Sequence, residues 1–402
     1  MSSSSLVSLT YKKETDGYGV RPPSLGAVTL KTARFTTESL SGTPTTSESQ
    51  EIRTDRMSPG QQVMGLDVMG AINFELAQDD FFDDFFEAGM LSAWVADEIV
   101  NTTVDLVPID SQSATLTLGA EFANLVPGTL AMFTPAGSSI PVVVQITTVD
   151  TPSTVFTVAT KKDQAVVSDT LDIKIPQHAD IGRDVLSILI GKAYLDVLDG
   201  GSQKSQTYAG EYVSSFSVNA TWGERITGAF NMMGNGYLQE TPSLQQQVVS
   251  AGGTVAAAGT ANALNASVDV PLVTIDDAAT DFCIRAFNVT LNNGLDPKTC
   301  IGSSAPRDYT LGTASVAVTM DVYNSKAAYE ALMPKKALQT PFSLTYVSIN
   351  VDGGYAFRID SLQVSFPDPA SGGQNQSVFI NAEGVGKVGE NGESALRIYS
   401  LK

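Results

Sequence analysis

The spacing of apolar residues changes period inside residues 51–94, and that change sets the reading of the whole chain. Val68, Gly70, Ile72, Phe74 and Leu76 occupy alternate positions, the period of a half-buried strand. Beyond Asp79 and Asp80 the period lengthens. Phe81, Phe82, Phe85, Phe86 and Met90 stand at i, i+1, i+4, i+5 and i+9, one face of a short helix. Asp80 is the expected cap, and Asp83, Asp84 and Glu87 are expected on the wet face. Packing on the local sheet is the first reading of these aromatics; because four in six residues exceed what such a helix commonly needs, contact of part of that face with a neighbouring subunit is the alternative.

Upstream, residues 1–24 are polar and carry Pro22-Pro23, which reads as an N-terminal arm. Residues 27–37 alternate as a strand. Residues 38–59 read as a long polar loop, of a kind that is usually functional or ordered by a partner. Downstream, Thr, Val, Ser and Leu dominate, with turn signals at short intervals. Strand candidates at 114–118, 130–133, 142–148, 155–159 and 171–175 form a small all-β module. The module reads as inserted, because the earlier pattern resumes after it. Residues 185–197 are apolar and strand-like, Asp199-Gly200-Gly201 is a turn, and residues 212–220 and 226–233 follow as strands. Residues 238–275 are rich in Gln, Ala, Gly and Ser and read as a linker.

A weaker copy of the first order occupies the last part of the chain. Residues 284–291 read as a strand matching 30–37, and residues 292–311 as a second long polar loop. Val316, Val318 and Met320 alternate in place of Ile72, Phe74 and Leu76. Asn324 is the expected cap of a helix that stops at Pro334. Asp352-Gly353-Gly354 answers Asp199-Gly200-Gly201, residues 357–366 answer 212–220, and residues 378–386 answer 228–236. The expected organisation is an arm (1–24), a discontinuous first domain (25–101 and 188–237), an inserted β module (102–187), a linker (238–275) and a second domain (276–402).

Composition narrows the function. The chain has 402 residues, 43% apolar and 17% charged, which describes a globular protein with room for two or three cores. Lys and Arg number 24 against 43 Asp and Glu, a net charge of −19 that disfavours gripping nucleic acid by phosphate neutralisation. No signal-peptide pattern is visible, and no apolar run approaches the roughly 18 residues of a membrane span, so no membrane partner is expected. His178 is the only histidine, which removes most His-based catalytic and metal sites. Cys283 and Cys300 have no zinc spacing and read as buried free thiols. Asp79, Asp80, Asp83 and Asp84 lack the alternate spacing and the glycine of a calcium loop. The glycines 384, 386 and 389 match G-x-G-x-x-G formally but do not lie between a strand and a helix, so they read as a loop. No catalytic, cofactor or metal site is expected.

Several stretches resemble the tail tube proteins (major tail proteins) of long, flexible-tailed bacteriophages. They are SESQEIRTDR (47–56) leading into GAINFELA (70–77) and DDFFEA (83–88) before Trp94; YAGEYVSSFSV (208–218) with ITGAFNMMG (226–234); and FNVTLNNG (287–294) with residues 311–322 and the helix to Met333. The resemblance covers nearly the whole chain in order and is loosest at 102–187. It implies a mainly β, non-enzymatic structural protein: two duplicated tail-tube domains, each a β-sandwich or split barrel with a short flanking helix, plus the inserted module.

Such domains join side by side into a β-lined ring, and rings stack into a tube that conducts DNA. The two long loops are then the inter-ring stacking elements, with Glu51, Arg53, Asp55 and Arg56 in the first and Arg307 and Asp308 in the second. Phe81, Phe82, Phe85, Phe86, Tyr329 and Leu332 are the helix residues expected in packing and inter-subunit contacts. A ring of about six domains needs three chains, giving a homotrimer with pseudo-six-fold symmetry, or six chains if the duplication is false. Further implied partners are a tape measure protein, tail terminator and tip proteins, and double-stranded DNA that slides past an acidic lumen without specific binding. The implied location is the virion tail, after assembly in the host cytoplasm. The alternative reading is a β-rich surface or decoration module that binds a host receptor or glycan.

Overall fold

A computed structural model describes residues 6–15, 17–50, 57, 60–119, 125–150, 154–280, 282–370, 373–374, 376–390 and 392–402. The chain is mainly β. It opens with β1 (Val7–Lys13), β2 (Thr29–Thr32), β3 (Thr37–Glu38), β4 (Ser41–Glu48), β5 (Gln61–Glu75) and α1 (Asp80–Met90). Residues 1–24 are therefore not simply an arm: β1 is a sheet strand with Leu9 and Tyr11 buried on one face. That alternation is short and flanked by charge, so it was weak against a polar background.

The inserted module is a closed six-stranded barrel built from β6 (Glu98–Pro108), β7 (Ser113–Leu118), β8 (Leu130–Phe133), β9 (Val142–Asp150), β10 (Val155–Ala159) and β11 (Val167–Ile175). Alternating Val104, Leu106, Leu116, Val144, Ile146, Phe156 and Val158 fill it, as closure of a small barrel requires. The chain returns through β12 (Gln177–Asp180), β13 (Ile188–Asp199), β14 (Ser202–Thr221) and β15 (Thr227–Gly234).

Residues 238–275 do not form a free linker. They hold the end of β16 (Gly236–Glu240), α2 (Leu244–Ser250), β17 (Thr254–Ala256) and β18 (Leu272–Ile275). Leu244 and Val248, one helical turn apart, are buried against Leu189, Val28 and Leu30. The low charge of this stretch marks a segment lying on the sheet. After β19 (Ala278–Ala279) come β20 (Ile284–Asn292), β21 (Asp296–Lys298), β22 (Asp308–Thr310), β23 (Ser315–Tyr323), α3 (Lys326–Leu338), β24 (Phe342–Asn350), β25 (Gly353–Ser365), β26 (Phe379–Gly386) and β27 (Arg397–Leu401). Gly384 and Gly386 thus lie within a strand paired with β23 and β25, not in a loop.

The strand pairings repeat. β5 runs against β15 and ends with Glu75 opposite Thr227, just before α1. β23 runs against β26 and ends with Tyr323 opposite Phe379, just before α3. β1 lies against β13 as β18 lies against β24. β13–β14 and β24–β25 close over the Asp-Gly-Gly turns with register shifts at Ile188/Ile190 and Phe342/Leu344. This register moves the correspondence read from sequence: Val316, Met320 and Val322 stand where Val68, Ile72 and Phe74 do. Residues 39–42, not 34–37, stand where 288–291 do. Within the chain the repeats are joined edge to edge by β14 and β20, and β12 pairs with the last strand, β27.

Both helices differ from expectation at their ends. Asp79, not Asp80, caps α1, its carboxylate accepting from Phe81 N at 3.1 Å. Ser325, not Asn324, caps α3, and α3 runs through Pro334 to Leu338. Proline there removes the bond to the Glu330 carbonyl, but the following Lys335 and Lys336 tie the last turn to Asp276 and Asp368.

α1 sits in one core shared by both repeats. Phe81, Phe82, Phe85 and Phe86 are all at most 1% exposed. Phe86 meets Phe216 and Phe230 of the first repeat and Tyr355 and Phe357 of the second. These four aromatics are thus used up inside one chain and keep no face for a neighbouring subunit. Phe86→Ala is expected to cost about 3–5 kcal/mol, read as a fall in the urea midpoint with unchanged slope.

Candidate assembly surfaces

Three surfaces stand out. The first is the ribbon of β4 and β5. Its residues pair from Ser41↔Met69 to Glu48↔Gln61, but β4 is Ser, Thr, Gly and Pro up to its terminal Glu48, with almost every residue exposed. Val63 and Met64 of β5 are also exposed. A two-stranded ribbon that buries neither face is marginal alone, so what holds it is at its base. There Leu66 N donates to Ser304 O at 2.6 Å, from the loop that carries β21 and β22. That loop exposes Ile301 fully, and Asp308 pairs with Lys298 at 2.8 Å. Arg307 is exposed beside it. The two long loops of the sequence reading are therefore neighbours in one chain, and the first is largely a hairpin. Glu51, Arg53, Asp55 and Arg56 lie outside the described residues.

The second surface is the outward face of the antiparallel run β4–β5–β15–β14–β20–β23–β26–β25. Alternation puts Ile72, Phe230, Val218, Val289 and Val318 in the core and turns Ser, Thr and Asn outward. Asn231 Nδ2 donates to Ser215 Oγ at 2.9 Å, Asn73 Nδ2 to Thr37 Oγ1 at 2.8 Å, and Asn288 bonds Asn219 across the seam. Charge is sparse here. Glu75 pairs with Arg225 at 2.5 Å, Asp67 accepts from Thr45 Oγ1 at 2.9 Å, and Asp321 and Glu383 are diagonal neighbours on β23 and β26 with Arg285 near Asp321. The face is polar and carries few charges, most of them carboxylates.

The third surface surrounds the helices. Asp83 and Asp84, expected in water, are buried. Asp83 accepts from Tyr355 Oη and Ser400 Oγ at 2.9 Å and from Lys402 Nζ at 2.7 Å, all from the second repeat. Asp84 accepts from Tyr11 Oη at 3.0 Å and pairs with Lys13 and Lys31 at 2.7 Å. Periodicity assigned them to the wet side because it cannot see β1, β2 and β25 arriving there. On α3, Leu332 is buried and Tyr329 is 49% exposed. Cys283 and Cys300 are exposed free thiols, not buried ones. Among the described residues no cluster of three or more His, Cys, Asp or Glu is arranged to hold a metal ion.

Two features had no signal in the sequence. Tyr194 Oη donates to Gln206 Oε1 at 3.1 Å, and Gln206 and Gln239 both donate to Tyr237 Oη, forming a half-exposed amide–tyrosine cluster. Glu211 is fully buried in the first repeat, and burial together with nearby Glu14 pushes its carboxyl well above the usual range. Its neutral form suits a site where, among the described residues, no cation pairs with it.

A family model described as phage tail tube protein matches residues 4–386. The chain belongs to the phage tail tube protein family. A search of curated proteins finds no match. As a tail tube protein it is a structural component of the phage tail, and the mainly β fold with short helices fits that role. Among the described residues no helix is long and apolar enough to cross a membrane.

The acidic anchors of this tail tube protein set its pH response. Burial pushes the Asp84 carboxyl up, but hydrogen bonds and charge from Lys13 and Lys31 outweigh it, so its pKa lies below the ordinary value. A depressed carboxylate stabilises above its unfolded pKa and loses that contribution as pH falls through the folded value. Lys13 and Lys31 are raised despite burial by the same contacts, so their share is present below the ordinary lysine pKa and fades as pH rises through the folded one. Asp84→Ala should therefore flatten the loss of stability on the acid side. Asp83→Ala, which strands Tyr355 Oη and Ser400 Oγ, should cost about 3 kcal/mol. Asp80→Ala, at an exposed position, should stay within about 0.5 kcal/mol. Urea midpoints from pH 3 to 8 check all three.

Proposed function

We propose that this protein is the subunit of a tail tube built from stacked rings, and that each ring closes from three chains. The observation that carries this reading is the β14–β20 ladder. It joins the two repeats edge to edge inside one chain, as two neighbouring tube domains would be joined in a ring. Each repeat contributes four strands to one continuous antiparallel face, so three chains supply six repeats. Closure pairs sheet edges that would otherwise invite aggregation.

The polar face is the channel lining in this reading. Neutral Ser, Thr and Asn with few cations offer phosphate nothing to grip, while the net charge of −19 repels DNA at longer range. The barrel belongs outside the tube. It packs Leu130, Met132 and Val143 on Val347, Ile349, Ala356 and Leu401, on the sandwich layer opposite the polar face. The β4–β5 ribbon and its companion loop, with Val63, Met64 and Ile301 exposed, stack one ring on the next. Tape measure, terminator and tip proteins meet the ends of such a tube.

Negative-stain electron microscopy of the purified protein tests this directly. Rings of constant diameter with a central hole, or tubes, are expected, with three-fold averages. Persistent monomers at high concentration across ionic conditions would sink the reading, and six chains per ring would sink the trimer. Replacing residues 46–64 with Asn-Gly closes the ribbon at the Thr45↔Gly65 pair with a favoured two-residue turn. That variant should fold and form rings but no tubes; normal tubes would remove the ribbon's stacking role.

A further inference from the structure

The seam inside the chain specifies the seam between chains. Resting on the ring reading above, we propose that residues 365–369 of one copy pair antiparallel with residues 39–43 of the next, Phe366 opposite Gly42. In the same contact, α3 of the first copy lands on the Tyr194–Gln206–Tyr237 cluster of the second.

The repeat defines both partners. The last part of β14 has β15 on one edge and β20 on the other, with Ser215↔Asn292, Phe216↔Leu291 and Val218↔Val289. Ser365 opposite Glu383 of β26 stands as Ser215 does opposite Asn231 of β15, so Phe366 corresponds to Phe216. Its second edge carries no strand among the described residues. On the receiving side, Leu40 and Gly42 stand where Val289 and Leu291 do, beside β5 as those are beside β23. Their outer edge also carries no strand among the described residues.

The backbone polarity agrees. An added Cβ at Gly228 of β15 would collide with Ser217 O, so Ser217 faces β15, and Phe216 and Val218 present their N–H and C=O to β20. Pro367 and Pro369 occupy the positions of Ser217 and Asn219. Their missing N–H groups therefore point away from the seam, while Phe366 and Asp368 keep theirs toward it. Opposite them, Ser39 N donates to Ala71 O at 2.9 Å, which turns Leu40 and Gly42 outward. In the single chain Leu40 N donates to Glu38 Oε2 at 3.0 Å and Leu40 O accepts from Tyr208 Oη at 2.9 Å. Such a cap keeps an edge from pairing indiscriminately, and the seam exchanges the Glu38 bond for one to Asp368 O.

The helices tell the same story. Aligned on their caps, Asp79 and Ser325, Phe86 corresponds to Leu332 and Asp83 to Tyr329. Phe86 and Leu332 are both buried. Asp83 reaches Tyr355 and Ser400 across the internal seam, whereas Tyr329 reaches solvent. Tyr355 lies opposite Ser348 as Lys204 lies opposite Tyr194. The first-repeat counterpart of the surface that α1 covers is thus Tyr194, Lys204, Gln206 and Tyr237, left half-open. Tyrosine and amide groups suit a contact that is wet before assembly and buried after it.

Cross-linking tests the register. In a Cys283→Ser, Cys300→Ser background, Ser39→Cys with Pro369→Cys recreates the position of the Asn219–Asn288 pair. Mild oxidation should convert most chains into covalent dimers and closed trimers on a non-reducing gel, with none from either single cysteine. Ser41→Cys with Pro369→Cys, two residues out of register, should cross-link at least tenfold less. Rings in micrographs without the Ser39–Pro369 cross-link, or with equal cross-linking of the shifted pair, would overturn the seam and leave the tube reading intact. Absence of rings from the Cys-free background would overturn both. Tyr329→Ala should leave the monomer's urea midpoint unchanged yet raise the concentration needed for assembly about tenfold; unchanged assembly would overturn the helix contact.

Discussion

An antiparallel sheet carries a row of unpaired N–H and C=O groups along each edge, and the arrangement of this chain follows from where those rows end up. One row is paired inside the chain, where β14 meets β20. The outermost rows, beside residues 39–43 and 365–369, are managed locally. Glu38 and Tyr208 cap Leu40, prolines interrupt the strand after Ser365, and Gln339 Nε2 donates to Val364 O at 3.3 Å. Caps of this kind cost little to exchange for a correct partner and deter a wrong one.

The two helices show how duplicated elements diverge when their neighbours differ. α1 is enclosed by both repeats, so its inner face is phenylalanine and its side facing the second repeat carries Asp83, bonded to Tyr355, Ser400 and Lys402. α3 keeps only the positions that touch its own sheet, Ala328 and Leu332, buried, while Tyr329 is left at the surface. The contrast is one of enclosure: a carboxylate survives inside only where donors meet it.

The second sandwich layer must also be covered on its outer side, and the repeats solve this differently. In the first, α2 places Leu244 and Val248 on Leu189. In the second, the barrel takes that place, fastened by Thr274 Oγ1 donating to Gln145 Oε1 at 2.6 Å and by Gln145 Nε2 donating to Asp277 Oδ1 at 2.7 Å, a carboxylate that Arg358 Nη1 holds from within the second repeat at 2.8 Å. The barrel is inserted in the first repeat by sequence but is part of the second by packing.

Much of the architecture was legible because it rests on local periods. Alternation marked β5, β20, β23 and most barrel strands, and the shift to helical spacing after Asp79 marked α1. The doubled order of elements and the family resemblance came from the same patterns. What stayed hidden depended on partners distant in sequence. Residues 1–24 and 238–275 looked like arm and linker because β1 and β18 gain their meaning from β13 and β24. The β4–β5 ribbon was visible only as a long polar loop, since pairing of Ser and Thr strands leaves no hydrophobic signature. Asp83 and Asp84 looked solvated, since a period reports which residues share a face and not what covers that face. By itself, then, the sequence determined the mainly β class, the strongly periodic strands and helices and the family, because these follow from short-range spacing. The tertiary structure alone decided which acids are buried, which strands pair across the repeats and which edges stay open, because these depend on contacts between residues hundreds of positions apart.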